Sequence, residues 1–182
     1  EEAASHSKCW ILAVPTQAIR EVLDRLVPFS PEPLSICNAA KGIEIVSRKL
    51  IHEIVLEILP EARYSVLSGP SHAEEVVAGQ PTAVVVASSD SREAAFWQGL
   101  LNGGTFRVYT GTDVVGVEVG GAVKNVMAIA TGICDGLGLG LNARAALITR
   151  GLAEISRLGV ALGAHRETLM GLAGMGDLIL TC

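Results

Sequence analysis

Short apolar runs alternate with amphipathic stretches over roughly the first 110 residues, and the alternation then stops. Cys9 to Val14 is an apolar run closed by Pro15, which predicts a buried strand. Thr16 can open a helix whose apolar face is Ile19, Val22, Leu23 and Leu26, ended by Pro28, Pro31 and Pro33. Leu34 to Cys37 is a second strand. Val46, Leu50, Ile54 and Ile58 then recur every fourth residue, with Ile51 and Val55 beside them, so the pattern predicts an amphipathic helix closed by Pro60. Tyr64 to Leu67 is a third strand, leading into Ser71 and Glu74 at capping-box spacing and a helix that stops at Gly79. Ala83 to Ala87 carries three consecutive valines, as a strand covered on both faces would. Asp90 and Glu93 open another helix to about Leu101, and Phe106 to Tyr109 is a last strand. From Val114 onward the pattern is helical.

Strands alternating with helices predict a mostly parallel α/β sheet. The change to unbroken helical pattern predicts a break between Tyr109 and Val115, and hence two units, 1–113 and 114–182. Hydrophobic residues make up 49% of the 182, enough for a substantial core, and the net charge of −5 argues against nucleic acid as the main partner. No apolar run reads as long and uncharged enough for a transmembrane segment. Cys9, Cys37, Cys134 and Cys182 lie far apart, without metal-ligand spacing to a histidine, so free thiols in the cytoplasm and no metal are expected.

The stretch from Gly116 to Gly151 carries the strongest chemical signal. Its first helix is apolar on most faces, yet holds Lys124 next to Asn125. A buried lysine needs a partner or a use. Glu118, on the same helix, or a distant acid would satisfy it structurally. Gly116, Gly120 and Gly121 strip side chains from that helix at a cost of about 1 kcal/mol each, which implies a close neighbour. The run Gly136-Leu-Gly-Leu-Gly140 should break the helix, with Asn142 capping the next. That run is no dinucleotide fingerprint, because Leu141 stands where the third glycine would fall.

Three turns follow strands and precede helices, on the edge where parallel sheets bind ligands. They are Pro15-Thr16, Ala40-Lys41-Gly42 and Ser68-Gly69-Pro70-Ser71-His72-Ala73. Lys41 on its own reads as a surface lysine and His72 as a rim residue, since no acid or cysteine completes a triad with it. Asp177 lies between glycines and an apolar tail. A turn role would explain it, and so would a buried carboxylate facing Lys124, each relieving the other's desolvation.

Taken in order, Lys41-Gly-Ile-Glu44, Ser68-Gly-Pro-Ser71, Gly116 to Asn125, Asp135 to Gly140, Asn142 to Gly151 and Gly171-Leu-Ala-Gly-Met-Gly-Asp177-Leu closely resemble NAD(P)-dependent glycerol-3-phosphate dehydrogenases. The resemblance spans nearly the whole chain. It implies a partial Rossmann-type domain followed by a partial all-α substrate domain, similar to the C-terminal domain of 6-phosphogluconate dehydrogenase. It implies reversible hydride transfer between NAD or NADP and the pair dihydroxyacetone phosphate and sn-glycerol 3-phosphate, for phospholipid synthesis, in a homodimer. By the same resemblance Lys124 is the proton donor and acceptor. Lys41 touches substrate and nicotinamide, Gly69 and Ser71 form the substrate-side loop, and Ala73 contacts the cofactor. Asn125, Asp177 and Thr181 surround the reacting oxygen.

The Gly-rich cofactor loop and a later Ser-x-Arg-Asn segment are not in this sequence, so the chain reads as a fragment. His72 and Leu141 stand where the family more often has an aromatic and a polar or acidic residue. Desolvation is expected to lower the pKa of Lys124 and suit it to proton exchange near neutrality. Two alternatives remain open at this point: another reductase of the same architecture, and a non-catalytic fragment.

Overall fold

The computed structural model describes residues 2–182. A short helix α1 (Glu2–His6) precedes strand β1 (Cys9–Leu12). A single 3-10 turn at Thr16–Ala18 leads into α2 (Ile19–Leu26), and then come β2 (Ser35–Asn38), α3 (Ile51–Ile58) and β3 (Arg63–Ser68). Strands β1, β2 and β3 are parallel neighbours, with Ile36 opposite Trp10 and Tyr64. Their apolar residues face α2 and α3 in one cluster that holds Ile19, Leu23, Ile36, Ile54, Val55 and Val66.

After α4 (Ala73–Val77) the chain returns in β4 (Thr82–Ala87), crosses α5 (Ser91–Leu101) and adds β5 (Phe106–Gly111). The five strands stand in sequence order, but β4 runs antiparallel to β3 and parallel to β5. The mostly parallel sheet expected from the alternation is observed, with this one antiparallel joint. Residues 69–81, of which Ala73–Val77 are helical, connect the two strands and leave the chain at the edge where β3 ends, so β4 sets out from there. On the second face, Val84, Val86 and Val108 pack with Cys37 against Trp97 of α5.

No strand follows Gly111 among the described residues. The remainder is α6 (Val114–Gly136), α7 (Gly140–Ala161), α8 (Arg166–Leu169), a π turn at Leu172–Gly176 and α9 (Asp177–Thr181). Asp113 caps α6 by accepting from the Gly116 N–H at 2.8 Å, and its other oxygen accepts from the His165 N–H at 2.8 Å. Helix α6 is long and apolar enough to cross a membrane, which corrects the expectation that no run is. Part of it is packed: Val117 joins the core under the sheet, and Val123 and Met127 join a third cluster with Leu152, Ile155, Leu169 and Leu178, while Val126, Ile129 and Ile133 stay exposed.

Several local expectations shift. The helix predicted from Val46 starts only at Ile51, and Ile45 and Val46 are largely exposed. Tertiary hydrogen bonds override the periodicity. Gln17 bonds the Ile43 carbonyl and the Ile45 N–H, Arg20 holds Glu44 through two nitrogens at 3.0 and 3.1 Å, and Arg48 takes a left-handed φ of 60°. The Ser71–Glu74 capping box does not form, because the Ser71 hydroxyl donates to the Gly69 carbonyl instead. Asn142 lies inside α7, which opens at Gly140.

Candidate active site

Helix α6 begins beyond the end of β5 and runs along β3. Glu118 meets Tyr64 at the start of that strand, and Gly121 lies against Ser68 at its end. Two residues allow this close approach. A Cβ on Gly120 would sit 2.6 Å from the Ala173 carbonyl oxygen, and one on Gly121 would sit 3.2 Å from Ser68 Oγ and 3.3 Å from the Lys41 stem. The next turn of α6 therefore carries Lys124 just past the edge where β2 and β3 end.

Asp177 is the centre of the site. It is 1% exposed and lies at the first residue of α9, directly after the glycine-rich π turn. Its Oδ1 accepts from Lys124 Nζ at 2.7 Å, and its Oδ2 accepts from Lys41 Nζ. The Thr181 hydroxyl donates to the Asp177 carbonyl at 2.6 Å and accepts from Lys124 Nζ at 3.0 Å. One buried carboxylate thus holds two ammonium groups from different elements. Burial lowers the pKa of Lys41; the bond to Asp177 opposes that shift and the neighbouring charge of Lys124 adds to it. Two cations against one anion leave the cluster with a surplus positive charge, suited to an anionic ligand.

Lys41, Lys124, Asp177 and Thr181 are thus brought together. The loop that holds Gly69 and Ser71 adjoins them, since Pro70 approaches the Gly176 position to 3.5 Å and Ser68 abuts Gly121. Gly69 has a φ of +144° and lies flush on β4, where a Cβ would meet Val84 Cα at 2.9 Å. Asn125 is exposed on α6, and Ala73 is exposed at the first residue of α4, so neither joins the polar cluster directly. His72 is the exposed residue before α4. The purely structural partner considered for Lys124, Glu118, is engaged elsewhere, with His52 and Tyr64. Sequence reasoning placed Ser68 in the third turn but gave it no role; its buried hydroxyl has no hydrogen-bond partner and lies against the Gly121 position, as the Lys41 stem does. Nothing in the local pattern separates it from any serine at a strand end.

A mostly parallel sheet with helices on both faces, joined to a helical unit through a two-lysine, one-aspartate cluster, is a Rossmann-type unit followed by a helical one. The sequence comparisons identify its family. The chain belongs to the NAD-dependent glycerol-3-phosphate dehydrogenase family: the family's N-terminus matches residues 1–94 and its C-terminus residues 113–182. It is 56% identical to glycerol-3-phosphate dehydrogenase [NAD(P)+] of Dechloromonas aromatica and 55% identical to that of Geobacter sulfurreducens, in each case over 100% of this chain and 55% of the relative. Among solved structures, glycerol-3-phosphate dehydrogenase from Coxiella burnetii superimposes with a TM-score of 0.92 at 49% identity, covering 96% of this chain and 54% of that one. The enzyme from Saccharomyces cerevisiae gives 0.89 at 27% identity, over 100% of this chain and 55% of that one. The chain spans about half the length of the relatives it matches.

Proposed function

We propose that the protein transfers a hydride between NAD(P)H and dihydroxyacetone phosphate to give sn-glycerol 3-phosphate, feeding glycerophospholipid synthesis in the cytoplasm as a homodimer. In this reading residues 1–113 belong to the cofactor-binding domain and residues 114–182 to the substrate domain. The observation that carries it is the single buried carboxylate of Asp177 shared by Lys41 and Lys124.

Gly42 and Gly69 have φ values of +152° and +144° and no space for a Cβ, because Gly42 packs on Thr16 and Gly69 on β4, so both turns are held close to the sheet edge. In this reading the nicotinamide lies at these turns, and Lys41 and Ala73 are the residues of this chain that would contact it. The cofactor supplies or accepts the hydride. Lys124 holds the proton that the substrate oxygen needs: two of its three N–H bonds go to Asp177 and Thr181, and the third is available to a carbonyl oxygen. Its positive charge faces the developing alkoxide. Asp177 keeps the ammonium in place, while Thr181 fixes its direction. Lys41, Gly69, Ser71 and Asn125 orient the substrate, with the Lys41 cation offered to its phosphate-bearing end.

The test is a substrate panel on the full-length protein with NADH and NADPH. Dihydroxyacetone phosphate should exceed ketopantoate and 6-phosphogluconate in kcat/KM by about 100-fold or more, because a site built on paired polar groups rejects what leaves them unpaired. Comparable turnover of either competitor would assign the cluster to a different substrate.

A further inference from the structure

Glu118 is a second buried carboxylate, and the site just described does not use it. It lies on α6, six residues before Lys124, with a side chain 1% exposed. Three donors converge on it from the sheet side of the molecule. The His52 N–H reaches Oε1 at 3.0 Å, His52 Nδ1 lies 2.6 Å from Oε2, and the Tyr64 hydroxyl donates to Oε1 at 2.5 Å. Tyr64 belongs to β3, and His52 to the first turn of α3.

Elsewhere along its contact with the sheet, α6 makes apolar and close backbone contacts rather than directional bonds. Val117 is a rounded apolar contact, and Gly120 and Gly121 meet their neighbours with bare backbone. The glycine contacts oppose a slip only through steric clash. A carboxylate held by directional bonds from two elements resists both sliding and turning. A slip of one residue would move Lys124 about 1.5 Å along the axis and turn it about 100°, out of reach of Asp177.

We propose that Glu118, held by His52 and Tyr64, is a positioning residue that sets the register of α6 against the sheet and so delivers Lys124 to Asp177 and Lys41. This rests on the function proposed above only for its kinetic consequence. The other ionisable groups near the latch are Glu53 on α3, Cys37 on β2 beside Tyr64, and Asp113 and His165, which line the same cavity as His52 and Tyr64. The Asp113 carboxylate already caps α6, and its second oxygen takes the His165 N–H, so neither group substitutes for Glu118.

The experiment compares Glu118→Ala, Glu118→Gln and Tyr64→Phe in the full-length protein. Amine acetylation at Lys124 is measured by mass spectrometry against exposed Lys8 as internal reference, with kcat and KM measured alongside. In Glu118→Ala, Lys124 should be acetylated roughly tenfold faster as the helix end opens locally. Its kcat should fall about 100-fold with KM little changed, as for a misplaced proton donor. Glu118→Gln, which keeps the shape and can still pair with both partners, should recover most of both losses. Tyr64→Phe, lacking one donor, should fall between wild type and alanine. Unchanged Lys124 acetylation in a folded Glu118→Ala protein would overturn the proposal. If that variant does not fold, unchanged acetylation in Tyr64→Phe overturns it and faster acetylation supports it. A wild type inactive on dihydroxyacetone phosphate would sink the proposed function and leave the acetylation comparison decisive for the latch.

Discussion

At the scale of single residues, two carboxylates organise the molecule, and both are buried against cations or potential cations. Breaking such a pair by removing one partner leaves an uncompensated charge, typically at a cost of about 3–5 kcal/mol. Asp177 is the more exposed to that penalty because it serves two lysines. Glu118 links to pH through His52. Burial of the imidazole lowers its pKa, but the bond to Glu118 and that carboxylate's charge outweigh burial, and the net shift is upward from 6.5. A histidine with a raised folded pKa contributes stability that is complete below its ordinary value and fades as pH rises through the folded value. The difference in unfolding free energy between wild type and His52→Gln should therefore be largest below about pH 6.5 and shrink toward alkaline pH. Chemical denaturation across that range checks this, and a difference that grows with pH would contradict the ion pair.

At the scale of elements, glycines decide where α6 can lie. Gly120 and Gly132 are on the same helix, yet a Cβ on Gly120 would meet a backbone oxygen at 2.6 Å, while one on Gly132 would meet nothing within 4 Å. Gly120→Ala should destabilise by about 1–3 kcal/mol through overpacking. Gly132→Ala should stabilise by about 1 kcal/mol through helix propensity. Melting temperatures of the two variants separate these effects, and equal shifts would mean that α6 does not pack as described. The glycine enrichment of α6 was legible in the sequence as a sign of close approach, and the strands from Cys9 to Gly111 were legible from short apolar runs. The late start of α3 was not, because Gln17 and Arg20 act on Ile43 to Ile45 from another element. Nor was the reversal at β4, which only the pairing of β3 with β4 reveals. Lys124 stood out as a charge in an apolar helix, and the sequence raised Asp177 as its partner. Placing Lys41 on the same carboxylate required the fold, because the two residues lie 136 positions apart. Ser68 was legible only as a member of its turn, with no role of its own.

At the scale of the whole molecule, the sheet and the helical unit meet along α6, and that seam is where the cationic cluster forms. Turns on the sheet edge contribute Lys41, the long helix contributes Lys124, and the π turn and α9 contribute Asp177 and Thr181. No single element holds two of the charged groups, so the cluster exists only when both units are folded and docked. The central claim is that this convergence serves proton transfer at Lys124 rather than the docking itself. Lys124→Met in the full-length protein separates the two, since it keeps the apolar stem and removes the charge. Steady-state kinetics with dihydroxyacetone phosphate, with NADH binding and melting temperature measured on the same variant, should give kcat lower by at least about 100- to 10,000-fold, with cofactor binding nearly intact. A kcat within a few-fold of wild type, with or without a change in melting temperature, would contradict the account and leave Lys124 as a structural ion pair.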